Sequence, residues 1–304
     1  MKCFSSDAYF AYLPEGHPFP MCKFPESASL IRDQGLAEVI DPGFIRLEEL
    51  YRAHAPEYVN SIRTGDYNEL TAQRLGLPWH PTIWRRSLSA TSGTVQASRV
   101  ALEEGLSANL AGGTHHAFYD RGEGYCVFND VVVATRALHV EEPLLHVMVI
   151  DLDAHQGNGT AALFADQPHV FTYSLHVGKN YPSRKEPSSL DVEVSRYAKA
   201  CEYFERLHET LPRAIELFEP DLIFYNAGVD VHENDRFGQM KLSTEDIRLR
   251  DEYVLKMTHR LSIPTCIVYG GGYNRDPHVT TLLHVQTIRV ASQIEKQGKE
   301  TRII

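Results

Sequence analysis

The strongest constraint on the fold is an alternation that begins near residue 107. Five short apolar runs, "SANLAGG", "LLHVMVIDLD", "HVFTYSLH", "DLIFYNAG" and "PTCIVYGGG", are separated by stretches of helical spacing. Those stretches fall at 129–139, 159–165, 197–218, 244–261 and 277–294. Strands alternating with helices of this length predict an α/β fold, a parallel sheet flanked by helices on both faces. Pro212 is expected to kink or divide the 197–218 helix. Upstream, "GFIRLEELYRAH" and "PEYVNSIRTG" carry helical spacing, with Pro56 suited to a first turn, while "HPFPMCKFP" and "LPWHPTIW" read as proline-rich loops. No internal repeat is visible, and the length of 304 residues leaves one or two domains open.

Each run ends in residues that packing alone does not explain. "GGTHH" follows the first, "DLDAHQGNG" the second, "SLH" the third, "NAGVD" the fourth and "GGGY" the fifth. In open parallel sheets, ligands bind beyond the carboxyl ends of the strands. Glycine there permits tight turns and close backbone approach. The polar side chains are expected to converge above the sheet.

Asp151, Asp153 and His155 close the apolar strand 147–150, and buried charge without a partner is costly. Two carboxylates and an imidazole form a three-ligand set with an open position, suited to a catalytic zinc ion. An O,O,N set also admits Fe, Co or Mn. Spacing does not separate Asp151 from Asp153 as the ligand, because residues i and i+2 of an extended strand face the same way. The His115–His116 pair has natural partners in Asp151 and Asn158. A histidine held by a carboxylate stays cationic, and one held by an amide stays neutral and can act as a general base. Tyr273, on a glycine-rich loop, could donate to an oxyanion. Together these parts describe amide hydrolysis.

Composition removes other classes. A net charge of -10 argues against a nucleic-acid partner. Cys3, Cys22, Cys126, Cys201 and Cys266 are dispersed and form no C-x-x-C pair, which predicts a reducing compartment and no cysteine zinc site. With no apolar leader and no run of membrane-span length, a cytoplasmic protein without membrane contact is expected.

The blocks "GGTHHAFYDRGEGYCVFND", "VIDLDAHQGNGT", "YNAGVDVHENDRFG" and "GGGYN" resemble, in order and spacing, those of the histone deacetylase family. The resemblance runs from "HPFPMCK" near residue 17 to the last helix and is greatest to class IV deacetylases and their bacterial relatives. It implies one arginase–deacetylase domain over 1–304. By motif position it implies Asp153, His155 and Asp230 as zinc ligands, His115 paired with Asp151, and His116 paired with Asn158 as general base and acid. It implies Tyr273 as the group that polarises the acyl carbonyl. Gly124, Tyr125, Tyr181, Phe237, Gly271 and Gly272 would line the substrate's path. A structural potassium site would use Asp151, Asp153, His155, Ser174 and Leu175, and a second would involve Phe164 and Val170. Lys23 falls where many members have an arginine behind the site.

Tyr125 and Tyr181 replace phenylalanines of many members, Asn158 replaces the class I aspartate, and the acidic residue that grips a peptide backbone in class I has no counterpart. The function implied is a zinc-dependent deacylase acting on acetyl- or longer acyl-lysine in proteins. The alternatives are an acetylpolyamine or other small acyl-amine amidohydrolase, a binuclear manganese ureohydrolase, and a non-enzymatic acyl-lysine binding module. The ureohydrolase needs further carboxylates where "NAGVD" offers one, and the binding module does not explain the histidine pair and Tyr273.

Overall fold

The computed structural model describes residues 1–301. Eight strands form one sheet: β1 (Lys2–Phe4), β2 (Glu38–Ile40), β3 (Leu106–Asn109), β4 (Val147–Asp151), β5 (Val170–Val177), β6 (Leu190–Val194), β7 (Leu222–Asn226) and β8 (Thr265–Val268). Their order is β2-β1-β3-β8-β7-β4-β5-β6, and every pair is parallel. The central strands β4 and β7 are buried at every position, as a sheet covered by helices requires.

The helices are α1 (Lys23–Asp33), α2 (Leu47–Leu50), α3 (Pro56–Thr64), α4 (Glu69–Leu75), α5 (Pro81–Glu104), α6 (Asp130–Glu141), α7 (Asn158–Phe164), α8 (Ala200–Phe218), α9 (Thr244–Arg260) and α10 (Pro277–Thr301). The chemistry of their caps is local. Asn129 accepts from the Val132 amide to start α6, and Ser243 with Asp246 forms a reciprocal capping box at α9.

Pro212 does not divide α8, which runs unbroken through it. A mid-helix proline costs about 3 kcal/mol. The α8 stripe of Tyr203, Leu207, Leu211, Ala214 and Ile215 is buried, and that burial holds the helix together. Five apolar runs are five of the eight strands. The three others are β1 and β2, of three residues each, and β6, which shows alternating burial at one edge of the sheet.

Reversal of strand order fixes where the site forms. β4 is flanked by β7 and β5, so the chain leaves β4 and β7 beside each other, and Asp151 sits level with Asn226 and Ser174. The loops after β3, β4, β7 and β8 therefore open side by side at the carboxyl edge. Among the described residues no helix is long and apolar enough to cross a membrane.

Candidate metal centre and active site

Asp153 and His155 lie on the loop after β4, and Asp230 lies four residues past the end of β7. His155 Nδ1 is 3.0 Å from Asp153 Oδ1 and 2.9 Å from Asp230 Oδ2. The three donors lie within 4.8 Å of one another, and all three residues are buried. Backbone amides hold the remaining oxygens: Gly271 N donates to Asp153 Oδ2 at 2.7 Å, and Ala154 N to Asp230 Oδ1 at 2.8 Å. The loops of β4, β7 and β8 are thus tied to one another through the two carboxylates.

This cluster seeks positive charge. Burial pushes the Asp230 carboxyl up to about 7, and the neighbouring Asp153 adds to that. Burial opposes charge on His155 as well, but Asp230 and Asp153 more than offset it and hold the imidazole well above its ordinary range. Two carboxylates around one imidazole, with an O,N,O donor set and no thiolate, fit a single divalent ion. Gly271 is required here: a Cβ at this position would lie 2.3 Å from Asp230 Oδ2 and 2.7 Å from Asp153 Oδ2.

The histidine pair stands beside the cluster with ring centroids 4.0 Å apart. His115 Nδ1–H donates to Asp151 Oδ2 at 2.7 Å, and His116 Nδ1–H to Asn158 Oδ1 at 2.7 Å. Their electrostatics diverge. Burial works against charge on His115, but Asp151 and Asp153 raise its pKa to about 9. His116 is held well below the ordinary histidine range by burial and then by the neighbouring His115 and His155. The surroundings therefore favour the cationic form of His115 and the neutral form of His116.

Tyr273 completes the wall. Its amide donates to Asp235 Oδ2 at 2.6 Å, and its carbonyl accepts Arg236 Nε–H at 3.0 Å. Burial holds its phenol well above the usual tyrosine range, so the hydroxyl stays a donor. Tyr125, Tyr181, Gly124 and Phe237 border, with His116, His155 and Tyr273, one cavity of about 360 Å³. Gly124 is a glycine by necessity: its φ is +52°, and a Cβ would lie 2.8 Å from His116 Cδ2. Gly272 faces Val229, Thr280 and His284, while Gly271 borders a second, small cavity of about 30 Å³ behind the histidines.

That rear cavity is walled by Arg86 and Cys126. Beside it Lys23, fully buried, donates to Gly270 O at 3.3 Å and lies 5.3 Å from the Phe19 and Phe24 ring centroids. Burial and the Arg86 charge push its pKa down to about 8. Of the residues that the resemblance implies for potassium, Ser174 is in register with Asp151, Leu175 follows on β5, Phe164 ends α7 and Val170 begins β5.

Two supports escaped sequence reasoning. Asn226 Nδ2 donates to Asp151 Oδ1 at 2.9 Å, which fixes the carboxylate that faces His115. Arg250, fully buried on α9, donates Nη1 to Leu152 O at 3.3 Å and to Gly228 O at 2.6 Å. These carbonyls flank Asp153 and Asp230 in sequence, so one guanidinium braces both ligand loops. A larger groove of about 1360 Å³ lies between α8 and α9. It contains no such cluster, and Asp153, His155 and Asp230 form the one metal-type group among the described residues.

Comparison with known proteins agrees with this geometry. The profile of the histone deacetylase domain matches residues 17–288. An uncharacterized protein of Picosynechococcus sp. is 36% identical over 289 residues, covering 94% of this chain and 96% of that protein. Histone deacetylase 2 of Arabidopsis thaliana is 30% identical over 292 residues, covering 88% of this chain and 73% of that protein. Acetoin utilization protein AcuC of Staphylococcus aureus is 26% identical over 284 residues, covering 85% and 73%. An α/β parallel sheet, a buried Asp–His–Asp cluster beside two histidines, and a domain match across most of the chain lead to one assignment: the chain belongs to the histone deacetylase family of deacetylase-type hydrolases.

Proposed function

We propose that the protein is a zinc-dependent deacylase that hydrolyses the amide of an acylated amine, with acyl-lysine as the substrate. The observation that carries the reading is the histidine pair, His115 on Asp151 and His116 on Asn158, beside the Asp153–His155–Asp230 cluster. A zinc ion held by those three residues supplies Lewis acidity toward the acyl carbonyl and makes water more acidic.

The remaining work falls to side chains. His116 is neutral, so its Nε2 takes a proton from the attacking water and returns it to the departing amine. His115, held cationic by Asp151, stabilises negative charge as it develops. The Tyr273 hydroxyl donates a hydrogen bond to the acyl oxygen. Gly124, Tyr125 and Tyr181 pack along the aliphatic stem, and the His116 and Tyr181 ring centroids lie 4.8 Å apart. Asp151, Asp153, His155, Ser174 and Leu175 would hold a structural potassium ion, with Phe164 and Val170 at a second.

Tyr273→Phe removes one hydroxyl and nothing else. Its metal content stays that of the parent, and kcat on an acetyl-lysine peptide falls by about 100-fold or more. Turnover equal to the parent would remove Tyr273 from the mechanism.

Substrate choice is set at the mouth. Phe237 packs 5.4 Å from the Tyr273 ring and carries no charge, and neither Glu123 nor Glu233 lines the cavity. The Glu123 carboxylate beside Tyr181 is already paired with Arg121, so a distal ammonium group finds no free carboxylate lining the cavity. The expected result is a higher kcat/KM for an acetyl-lysine peptide than for N8-acetylspermidine. A preference for the polyamine that survives Phe237→Ala would contradict it.

A further inference from the structure

The mouth of the site has the opposite sign to the rest of the molecule. The chain carries a net charge of -10, yet the cavity that opens onto His116, His155 and Tyr273 is lined by Arg74 and Arg236 and by no carboxylate. Neither arginine has a salt-bridge partner among the described residues. Glu123, next to Gly124 in sequence, lies beside the Tyr181 phenol at the edge of this cavity and is paired with Arg121, whose Nε lies 2.7 Å from its Oε1.

Both arginines are exposed at the rim of the site, and the Arg236 guanidinium is held in place there. Arg236 donates Nε to Tyr273 O at 3.0 Å and Nη2 to Pro18 O at 2.5 Å, which fixes the plane of the guanidinium. Its Nη1 hydrogens are left without a protein acceptor among the described residues. The preceding residue, Asp235, accepts from the Phe237, Gly238 and Tyr273 amides, so the backbone beneath Arg236 is pinned as well. Arg74 stands in the last turn of α4. Its carbonyl accepts the Gly124 amide at 3.1 Å, and the next carbonyl, of Leu75, accepts the Tyr125 amide at 2.8 Å. The two cations thus ride on two segments, the end of α4 and the loop after β7, that border the same cavity.

A pre-positioned guanidinium with free N–H groups matches a carboxylate, because the planar fork meets two oxygens at once. We propose that this mouth recognises a carboxylate close to the acylated amine. The favoured substrate is an acyl-lysine with a negative charge beside it, and Arg74 and Arg236 are the specificity-determining residues. The carboxylate comes either from the lysine itself, as in free or C-terminal acyl-lysine, or from an acidic neighbouring side chain. This inference rests on the deacylase reading and narrows its substrate class.

The test compares kcat/KM within two pairs of acetyl-lysine peptides at low ionic strength, using the full chain. One pair ends in acetyl-lysine as the free acid or the carboxamide. The other places Asp or Asn beside an internal acetyl-lysine. The charged member of at least one pair is expected to be about tenfold better, with the favoured pair naming the source of the carboxylate. The ratio falls as salt rises, since the contact is solvent-facing. It collapses toward one in Arg74→Gln/Arg236→Gln. The ratio is read rather than the rate, so a loss common to both peptides does not count. Equal rates within both pairs, or a charge preference that survives the double substitution, would overturn the inference and leave the deacylase reading intact. Absence of turnover on all four peptides would overturn the deacylase reading and this inference with it.

Discussion

His116→Ala is expected to abolish proton transfer without lowering metal content, with kcat on an acyl-lysine peptide falling by about 100- to 10,000-fold. The size follows from the position of the ring. His116 is buried, neutral and fixed through Nδ1 to Asn158 Oδ1 at 2.7 Å, so its Nε2 is a free base directed into the cavity shared with His155 and Tyr273. It contacts neither carboxylate of the metal cluster, so metal content is the internal control. Asn158→Asp asks the complementary question. A carboxylate on Nδ1 raises the basicity of His116, which favours the cationic form and removes the neutral base from a fraction of molecules at pH 7. The acidic limb of the kcat/KM profile then moves to higher pH. A His116→Ala enzyme with the parental rate would assign the proton transfers elsewhere.

Arg250→Met is expected to be the most destabilising single substitution outside the centre. Arg250 and Asp251 are both fully buried, with Arg250 Nη2 at 2.8 Å from Asp251 Oδ1. Asp251 also accepts from Tyr225 at 2.6 Å and from Thr287 at 2.6 Å. Removing the guanidinium strands a buried carboxylate and frees the Leu152 and Gly228 carbonyls. Breaking one side of such a pair costs about 3–5 kcal/mol. Because those carbonyls brace the loops of Asp153 and Asp230, metal affinity falls with stability, by about tenfold or more. Arg250→Lys keeps the charge and can reach one carbonyl, so it recovers part of both losses. Denaturant unfolding with and without chelator separates the two effects. Unchanged stability in Arg250→Met would show that the pair is not a structural tie.

Residues whose chemistry conflicts with their surroundings were legible in the sequence. Asp151, Asp153 and His155 stood out because they end an apolar strand, where charge needs a partner, and the histidine pair stood out because it follows "GG" at the end of β3. The central strands were visible for the same reason, since burial on both faces leaves continuous apolar runs. β1 and β2 were not, because three residues give no period to read, and β6 hides its core side in the alternation of "LDVEV". Arg250–Asp251 reads as an ordinary charged stretch of a helix, "IRLRDEY". Only the tertiary arrangement turns it inward beneath two carbonyls of distant segments. Asn226 looks like the turn of "NAGVD" until register places it level with Asp151. Pro212 signalled a break that the buried face of α8 overrides.

The most direct test of the central claim is metal stoichiometry measured beside turnover, on the parent chain and on Asp153→Asn and Asp230→Asn. The account predicts one zinc ion per parent chain, turnover of an acetyl-lysine peptide that is lost to a chelator and restored by zinc, and loss of both metal and turnover in each variant. Stoichiometric zinc with parental turnover in both variants would contradict it.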